Sequence, residues 1–161
     1  MKNTEVAFRW IITILELHKI QYKISGGFAA CIYGVNRELA DIDIVVADSN
    51  ISKIVNDVRP YIIFGPAQYR DDSWDLRLMT LKYLDQEIDI AGSRAKIFNY
   101  STQQWEPCPG DFETIEMKEV FGMMVPVESK KSLIAYKTKL DRQVDRDDVH
   151  QLLHRGQHGS D

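Results

Sequence analysis

Two short runs of alternating acidic and apolar residues constrain the fold of this 161-residue chain more than any other feature. The first run, DIDI, spans Asp41–Ile44 and continues into two valines, and the second, EIDI, spans Glu87–Ile90. Side chains two residues apart point to the same face of a β-strand, so each run predicts a strand that buries its isoleucines and presents its acids together. The chain is therefore expected to form a sheet with one buried face.

Hydrophobic spacing and turn residues divide the rest of the chain into helices and strands. The order predicts an α+β (mixed α/β) protein with a mixed sheet, helices packed on one face of that sheet, and a C-terminal pair of helices. Hairpin turns are expected at Asp85-Gln86 and at Phe121-Gly122. Helices are predicted over 3–18, 28–33, 50–58, 130–140 and 145–154, and strands over 22–25, 42–46, 61–64, 76–84, 87–91, 114–120 and 123–127.

Length and composition exclude several classes of protein. The length fits a single domain, which we place at residues 1–155, followed by a polar tail at 156–161. With 20 basic and 24 acidic residues the net charge is −4, which argues against a duplex-DNA binder. No apolar run approaches the roughly 20 residues that cross a membrane. Cys31 and Cys108 lie in unlike contexts and no signal peptide precedes them, which predicts free thiols in a reducing cytoplasm.

The acids of the first run predict a metal site. Asp41 and Asp43 are expected to project from one face at the start of their strand, where they repel each other and lose solvation. A divalent cation removes that conflict, and Mg²⁺ suits a site with few hard oxygen ligands that it shares with substrate phosphates. If the second run forms a neighbouring strand, either Glu87 or Asp89 can join the cluster. We favour Asp89, because Glu87 lies nearer the turn.

A serine and two glycines, Ser25-Gly26-Gly27, lie between a short predicted strand and a short predicted helix. Backbone N–H groups at such a turn, with the positive end of the helix, can hold a phosphate. Glycine lets the phosphate approach without a side-chain clash, and Ser25 adds a hydroxyl. A glycine pair alone is weak evidence for a phosphate site, because a tight turn without any ligand also explains it.

The span from Gly26 to Ile44, GGFAACIYGVNRELADIDI, resembles the nucleotidyltransferase superfamily typified by DNA polymerase β. That pattern is a glycine turn, a short helix, an arginine and an Asp-x-Asp strand, followed by a single acid on a later strand. The segment from residue 133 to 153 is similar to the helical close of small bacterial members, such as lincosamide and other antibiotic nucleotidyltransferases and minimal toxin–antitoxin nucleotidyltransferases. The chain departs from the pattern at Leu39, where many members have threonine.

The resemblance implies Mg²⁺-dependent transfer of a nucleoside monophosphate from an NTP, with ATP as the expected donor, to a hydroxyl of an unknown acceptor, releasing pyrophosphate. Two Mg²⁺ ions are expected on the catalytic acids Asp41, Asp43 and Asp89, and Asp89 can also accept the hydroxyl proton. The residues that the resemblance assigns to nucleotide binding are Ser25, Gly26, Gly27, Arg37 and Lys137.

Several alternatives remain open at the level of sequence. Arg37 is expected to pair either with a phosphate or with an acid such as Asp41, and Lys137 is either a phosphate ligand or part of a solvated lysine face. The stretch DDSWD at 71–75 is either a loop anchored by Trp74 or a site for a cationic acceptor such as an amino sugar. The alternative function is a non-catalytic or regulatory protein of this fold, such as an antitoxin, and a homodimer or a protein partner is possible in either case.

Overall fold

The computed structural model of the protein describes residues 2–108 and 111–158, with side chains as far as residue 154. The helices in these ranges are α1 (Thr4–Leu17), α2 (Gly26–Ile32), α3 (Val55–Val58), α4 (Lys130–Leu140) and α5 (Gln143–His158). The strands are β1 (Tyr22–Ile24), β2 (Asp41–Val46), β3 (Ile62–Arg70), β4 (Trp74–Tyr83), β5 (Gln86–Gly92), β6 (Lys96–Asn99), β7 (Gln104–Pro107), β8 (Ile115–Val120) and β9 (Met123–Glu128). None of the described helices is long and apolar enough to cross a membrane.

The strands form one mixed sheet, which confirms the predicted α+β class. Their order is β7-β6-β4-β5-β2-β1-β9-β8, and β3 pairs with β4. β2 lies parallel to β5 and β1 lies parallel to β9, whereas the other pairs are antiparallel. The β2–β5 register places Asp43 beside Asp89 and Asp41 beside Glu87. The two acidic runs are therefore neighbours in the sheet, although β3 and β4 separate them in sequence.

The hydrophobic core fixes which face of the sheet carries the acids. Ile42 and Ile44 of β2 and Ile88 and Ile90 of β5 are fully buried, and they share one core cluster with the apolar face of α1. Each such side chain contributes roughly 1.5–3 kcal/mol when it leaves water. Because side chains alternate along a strand, burying these four isoleucines places the intervening acids on the opposite face.

The turn of the β4–β5 hairpin lies one residue earlier in the chain than predicted. The turn lies at Leu84-Asp85 and not at Asp85-Gln86, since Tyr83 pairs with Gln86 across the two strands. Leu84 and Asp85 both have positive φ, which is the conformation that matches the twist of a two-residue hairpin. The predicted turn at Phe121-Gly122 is confirmed by the pairing of Val120 with Met123.

Other differences come from segments whose local sequence is ambiguous. β3 continues to Arg70, past the Gly65-Pro66 pair that predicts a break, and the β3–β4 register shifts on both sides of Phe64. The helix predicted over 50–58 is mostly a 3₁₀ helix at Asp48–Ile54 that leads into α3. β6 and β7 were not predicted. The backbone of α5 continues through 156–158 of the predicted polar tail, and residues 159–161 lie outside the described residues.

Replacing Ile44 with alanine is expected to lower the free energy of unfolding by about 2–5 kcal/mol, because a cavity would remain beneath the acidic face of β2. Urea unfolding followed by circular dichroism measures the loss. Leu17→Ala is the control, since Leu17 is 77% exposed and its loss is expected to change stability by less than about 0.5 kcal/mol. Equal losses in the two variants would contradict the position of Ile44 in the core.

Candidate functional site

Three carboxylates converge where β2 and β5 run side by side. Oxygen atoms of Asp41, Asp43 and Asp89 all lie within 4.8 Å of one another, and each residue is partly buried. The Thr80 hydroxyl on β4 donates a hydrogen bond to Asp89 at 2.7 Å, and the Gly27 N–H donates to Asp43 at 3.1 Å. We call these three residues the acid cluster. Its members are the three acids predicted from the two alternating runs.

The acid cluster is electrostatically strained. Burial raises the pKa of Asp43 to about 7, and the negative charges of Asp89 and Asp41 add to this effect. Burial, followed by the charge of Asp89, raises the pKa of Asp41 to about 6. Burial also raises the pKa of Asp89, although the Thr80 hydrogen bond opposes it. A group of hard oxygen donors that repel one another fits a divalent cation such as Mg²⁺, so the cluster can hold a metal.

The two glycines of the turn make room for two charged side chains. A Cβ on Gly26, whose φ is +61°, would lie 2.4 Å from Oδ2 of Asp43, and a Cβ on Gly27 would lie 2.5 Å from Nη2 of Arg37. Any side chain at either position would therefore displace a charged group of the site. The glycine pair has this structural reason in addition to the phosphate-binding role that the resemblance implies.

The hydrogen-bond donors of the turn already have partners within the protein. The Gly26 N–H donates to the Tyr136 hydroxyl at 2.9 Å, and the Ser25 hydroxyl donates to Glu128. Glu128 is buried beside Lys23, whose ammonium lies 3.3 Å from it. A phosphate held by Ser25 and Gly26 would have to exchange with these partners.

A group of three cations, which we call the cationic wall, also lines the site. Arg37, Lys137 and Arg142 form this wall, and each is held by an acid of α5. The partner of Arg37 is Asp148, at 2.8 Å, and not Asp41. Lys137 is only 3% exposed, so it does not belong to a solvated lysine face.

A cavity of about 630 Å³ joins the acid cluster to the cationic wall, and this volume lies within the range of small-molecule sites. Tyr69 and Trp74 also border it, which places part of the 71–75 stretch at the site. All the residues singled out from the sequence line this cavity: Ser25, Gly26, Gly27, Arg37, Asp41, Asp43, Asp89 and Lys137.

Sequence reasoning missed other residues that line the same cavity. Lys23, Glu128 and Tyr136 line it beside the turn: Tyr136 and Glu128 accept hydrogen bonds from Gly26 and Ser25, and Lys23 pairs with Glu128. A signal was present for two of them, because Lys23 lies within a short apolar strand segment and Glu128 lies at the end of another. Such residues rarely become buried unless each has a partner of opposite charge.

No protein-family model matches the sequence, and no curated protein matches it. Solved structures do match. A Thermotoga maritima protein assigned provisionally as a nucleotidyltransferase shares 20% identity over 96% of each chain, with a TM-score of 0.72. The lincosamide antibiotic adenylyltransferase LnuA, solved with lincomycin bound, shares 17% identity over 94% of this chain and 98% of its own, with a TM-score of 0.61. ANT(2'')-Ia, solved with adenylyl-2''-tobramycin, shares 13% identity over 93% of this chain and 87% of its own, with a TM-score of 0.58.

The chain has the nucleotidyltransferase fold. The structural similarity covers almost the whole chain, from α1 to α5, and confirms the resemblance carried by the Gly-Gly turn and the Asp-x-Asp strand. At identities of 13–20%, these structural matches show the fold alone.

Replacing Gly26 with alanine is expected to lower the free energy of unfolding by about 2–3 kcal/mol, because alanine avoids positive φ and its Cβ would meet Asp43. Gly122→Ala is the matched control. Its φ is also positive, but the nearest atom to its Cβ is 3.9 Å away, so the loss should be about 1 kcal/mol. In an Asp43→Ala background the difference between the two alanine variants should become smaller, because only the Cβ of residue 43, at 3.0 Å, remains in contact. Equal losses in the wild-type background would show that Asp43 does not press on Gly26.

Asp43→Asn is expected to stabilise the metal-free protein by about 1–2 kcal/mol at pH 8 and by nearly nothing at pH 4. As the pH rises from 3.8 towards about 7, Asp43 ionises freely in the unfolded chain but resists ionisation in the folded one. The wild type therefore loses stability over this range, whereas the asparagine variant does not. Urea unfolding in EDTA at several pH values measures the difference. A difference that does not grow with pH would contradict the raised pKa.

Proposed function

We propose that this protein is a Mg²⁺-dependent nucleotidyltransferase that transfers a nucleoside monophosphate from an NTP, with ATP as the first candidate, to a hydroxyl of a small acceptor, releasing pyrophosphate. The observation that carries the proposal is the placement of the acid cluster and the cationic wall in one cavity on a nucleotidyltransferase fold. Opposite charges in one cavity suit a ligand that combines a bound cation with a polyphosphate.

The acid cluster is the part of the site that fits a metal. Asp41, Asp43 and Asp89 offer only carboxylate oxygens, the donors that Mg²⁺ prefers, and their mutual repulsion favours a bound cation. We assign two Mg²⁺ ions to these residues; when bound, they would neutralise phosphate oxygens and orient the reacting groups.

We also assign residues of the site to phosphate binding and to proton transfer. Lys137 and Arg37 supply positive charge for the phosphates, in the same cavity as the acids. Asp89 is assigned the role of accepting the proton of the attacking hydroxyl, because it belongs to the acid cluster, the Thr80 hydroxyl orients its carboxylate, and burial raises its pKa.

We assign the acceptor to the side of the cavity formed by β3 and β4. Tyr69 and Trp74 offer aromatic surface there, beside Asp71. Burial works to raise the pKa of Asp71, but hydrogen bonds from the Ser73 and Trp74 amides and from the Tyr69 hydroxyl together lower it, so this acid stays ionised. A small molecule that carries hydroxyl groups and a positive charge, such as an amino sugar, would suit this surface. The lincomycin bound to LnuA and the adenylyl-2''-tobramycin bound to ANT(2'')-Ia support an acceptor of that size.

The alternative, a regulatory or antitoxin-like protein that acts only by binding another protein, does not require a strained acid cluster. Keeping three repelling acids in one place lowers stability, which favours a catalytic role for them.

A reducing, cytoplasmic location also belongs to the proposal, and the unpaired thiols of Cys31 and Cys108 support it.

Binding of NTPs in the presence of Mg²⁺ is expected to raise the melting temperature by about 5–10 °C at a concentration of roughly 100 Kd, because the ligand binds only the folded state. A thermal-shift panel of ATP, GTP, CTP and UTP, each with and without Mg²⁺, measures the effect. Asp43→Asn and Asp89→Asn should lose the Mg²⁺-dependent part of the shift.

Glu87→Gln is the comparison for Asp89→Asn, since Glu87 lies two residues away on the same strand and lines the same cavity beside Asp41, but is not one of the three acids of the cluster. It should keep most of the Mg²⁺-dependent shift. If none of the four nucleotides shifts the wild type in Mg²⁺, the proposed reaction fails. If Glu87→Gln loses the shift and Asp89→Asn keeps it, the third metal ligand is wrong.

A further inference from the structure

Two buried acids of α5 take no part in the metal site. Asp145 and Asp148 are three residues apart, so they lie on the same face of the helix, and neither side chain has any exposure. A carboxylate removed from water lowers stability by several kcal/mol unless opposite charges and hydrogen bonds compensate it. Their partners therefore indicate what these acids do.

Asp148 binds two cations of the cationic wall at once. Its two oxygens accept hydrogen bonds from Nε and Nη2 of Arg37 at 2.8 and 2.9 Å, which fixes the plane of the guanidinium. Nζ of Lys137 lies 3.0 Å from the same carboxylate. Burial works to raise the pKa of Asp148, but Arg37 and Lys137 together lower it, so the acid is ionised.

Asp145 completes the arrangement from the preceding turn of α5. It accepts hydrogen bonds from Nε and Nη2 of Arg142 at 2.6 and 3.1 Å, and it lies 3.5 Å from Nζ of Lys137. Lys137 is thus held between both acids. The three cations of the wall and these two acids together carry one net positive charge. The two acids also fix the positions of the cations that they contact.

We propose that Asp148 is a positioning residue for the polyphosphate of the nucleotide, acting through Arg37 and Lys137. This rests on the proposed function. Asp148 holds both cations side by side at the cavity, with Arg37 packed against Gly27, so that neither has to be ordered when the phosphates bind. Such preorganisation increases affinity because the entropy of ordering the side chains is lost during folding and not during binding.

A role in charge balance alone predicts the opposite effect. If Asp148 only neutralised excess positive charge, Asp148→Asn would leave the wall more positive, and an anionic ligand would bind more tightly. If Asp148 positions the two cations, the same variant binds more weakly in spite of the added positive charge. The sign of the change in affinity therefore distinguishes the two roles.

The test is isothermal titration calorimetry with ATP and with inorganic tripolyphosphate, both in Mg²⁺. Asp148→Asn is expected to raise both dissociation constants by about tenfold or more, the loss that a hydrogen bond to a charged group typically gives. Arg37→Lys keeps the charge but loses the two-pronged contact, so it should weaken binding similarly. The double variant should lose less than the sum of the two single losses, because both changes remove the Arg37–Asp148 contact.

Asp147→Asn is the matched control, with the same chemical change on the neighbouring, exposed residue of α5, which hydrogen-bonds only to Gln143 among the bonds described. It should leave both affinities within about twofold. Circular dichroism confirms that each variant is folded, and if Asp148→Asn does not fold, Arg37→Lys carries the test.

Unchanged or tighter binding in Asp148→Asn, or in Arg37→Lys when it alone is folded, overturns the positioning role while the proposed function stands. If the wild type itself binds neither ATP nor tripolyphosphate in Mg²⁺, the proposed function fails and this inference fails with it. That outcome is distinct, because the loss would already be present before any substitution.

Discussion

The parallel pairing of β2 and β5 is the constraint on which the rest of the structure depends. It places Asp41, Asp43 and Asp89 against one another although their charges repel, and the repulsion is offset by the core beneath. The isoleucines between these acids are fully buried, and each contributes roughly 1.5–3 kcal/mol. Because side chains alternate between the two faces of a strand, β2 and β5 cannot bury their isoleucines without presenting their acids together. The stability of the fold thus supports a site that is unfavourable by itself.

The Gly-Gly turn contacts both the acid cluster and the cationic wall. Gly26 lies against the Asp43 carboxylate and Gly27 lies against the Arg37 guanidinium, so the backbone of one turn contacts an anion of the acid cluster and a cation of the wall. A shift of this turn would move both groups relative to each other. The pair therefore acts as a spacer between the charges, and this role does not depend on whether its amides ever contact a phosphate.

Sequence reasoning succeeded where a local period determines the structure and failed where distant segments meet. Alternation is sufficient to predict β2 and β5 and the side of each strand that carries acids. The partner of Arg37 could not be found in this way, because Asp148 is 111 residues away along the chain whereas Asp41 is only a few. The strand predicted over 61–64 is shorter than β3, which pairing with β4 extends to Arg70 across Gly65-Pro66. Long-range packing decides such cases, and local propensity does not record it.

The charges of the assembled site explain why metal and nucleotide should bind together. When fully ionised, the acid cluster carries three negative charges and the wall with its two acids carries one positive charge, so the cavity as a whole is negative. A triphosphate has about four negative charges near neutral pH, and without a cation it would be repelled by the acids more than the wall attracts it. Divalent cations on the acid cluster reverse that balance and turn the nearest repulsive groups into an attractive surface. Each ligand therefore improves the site for the other, and this coupling requires only charge and proximity, with no conformational change.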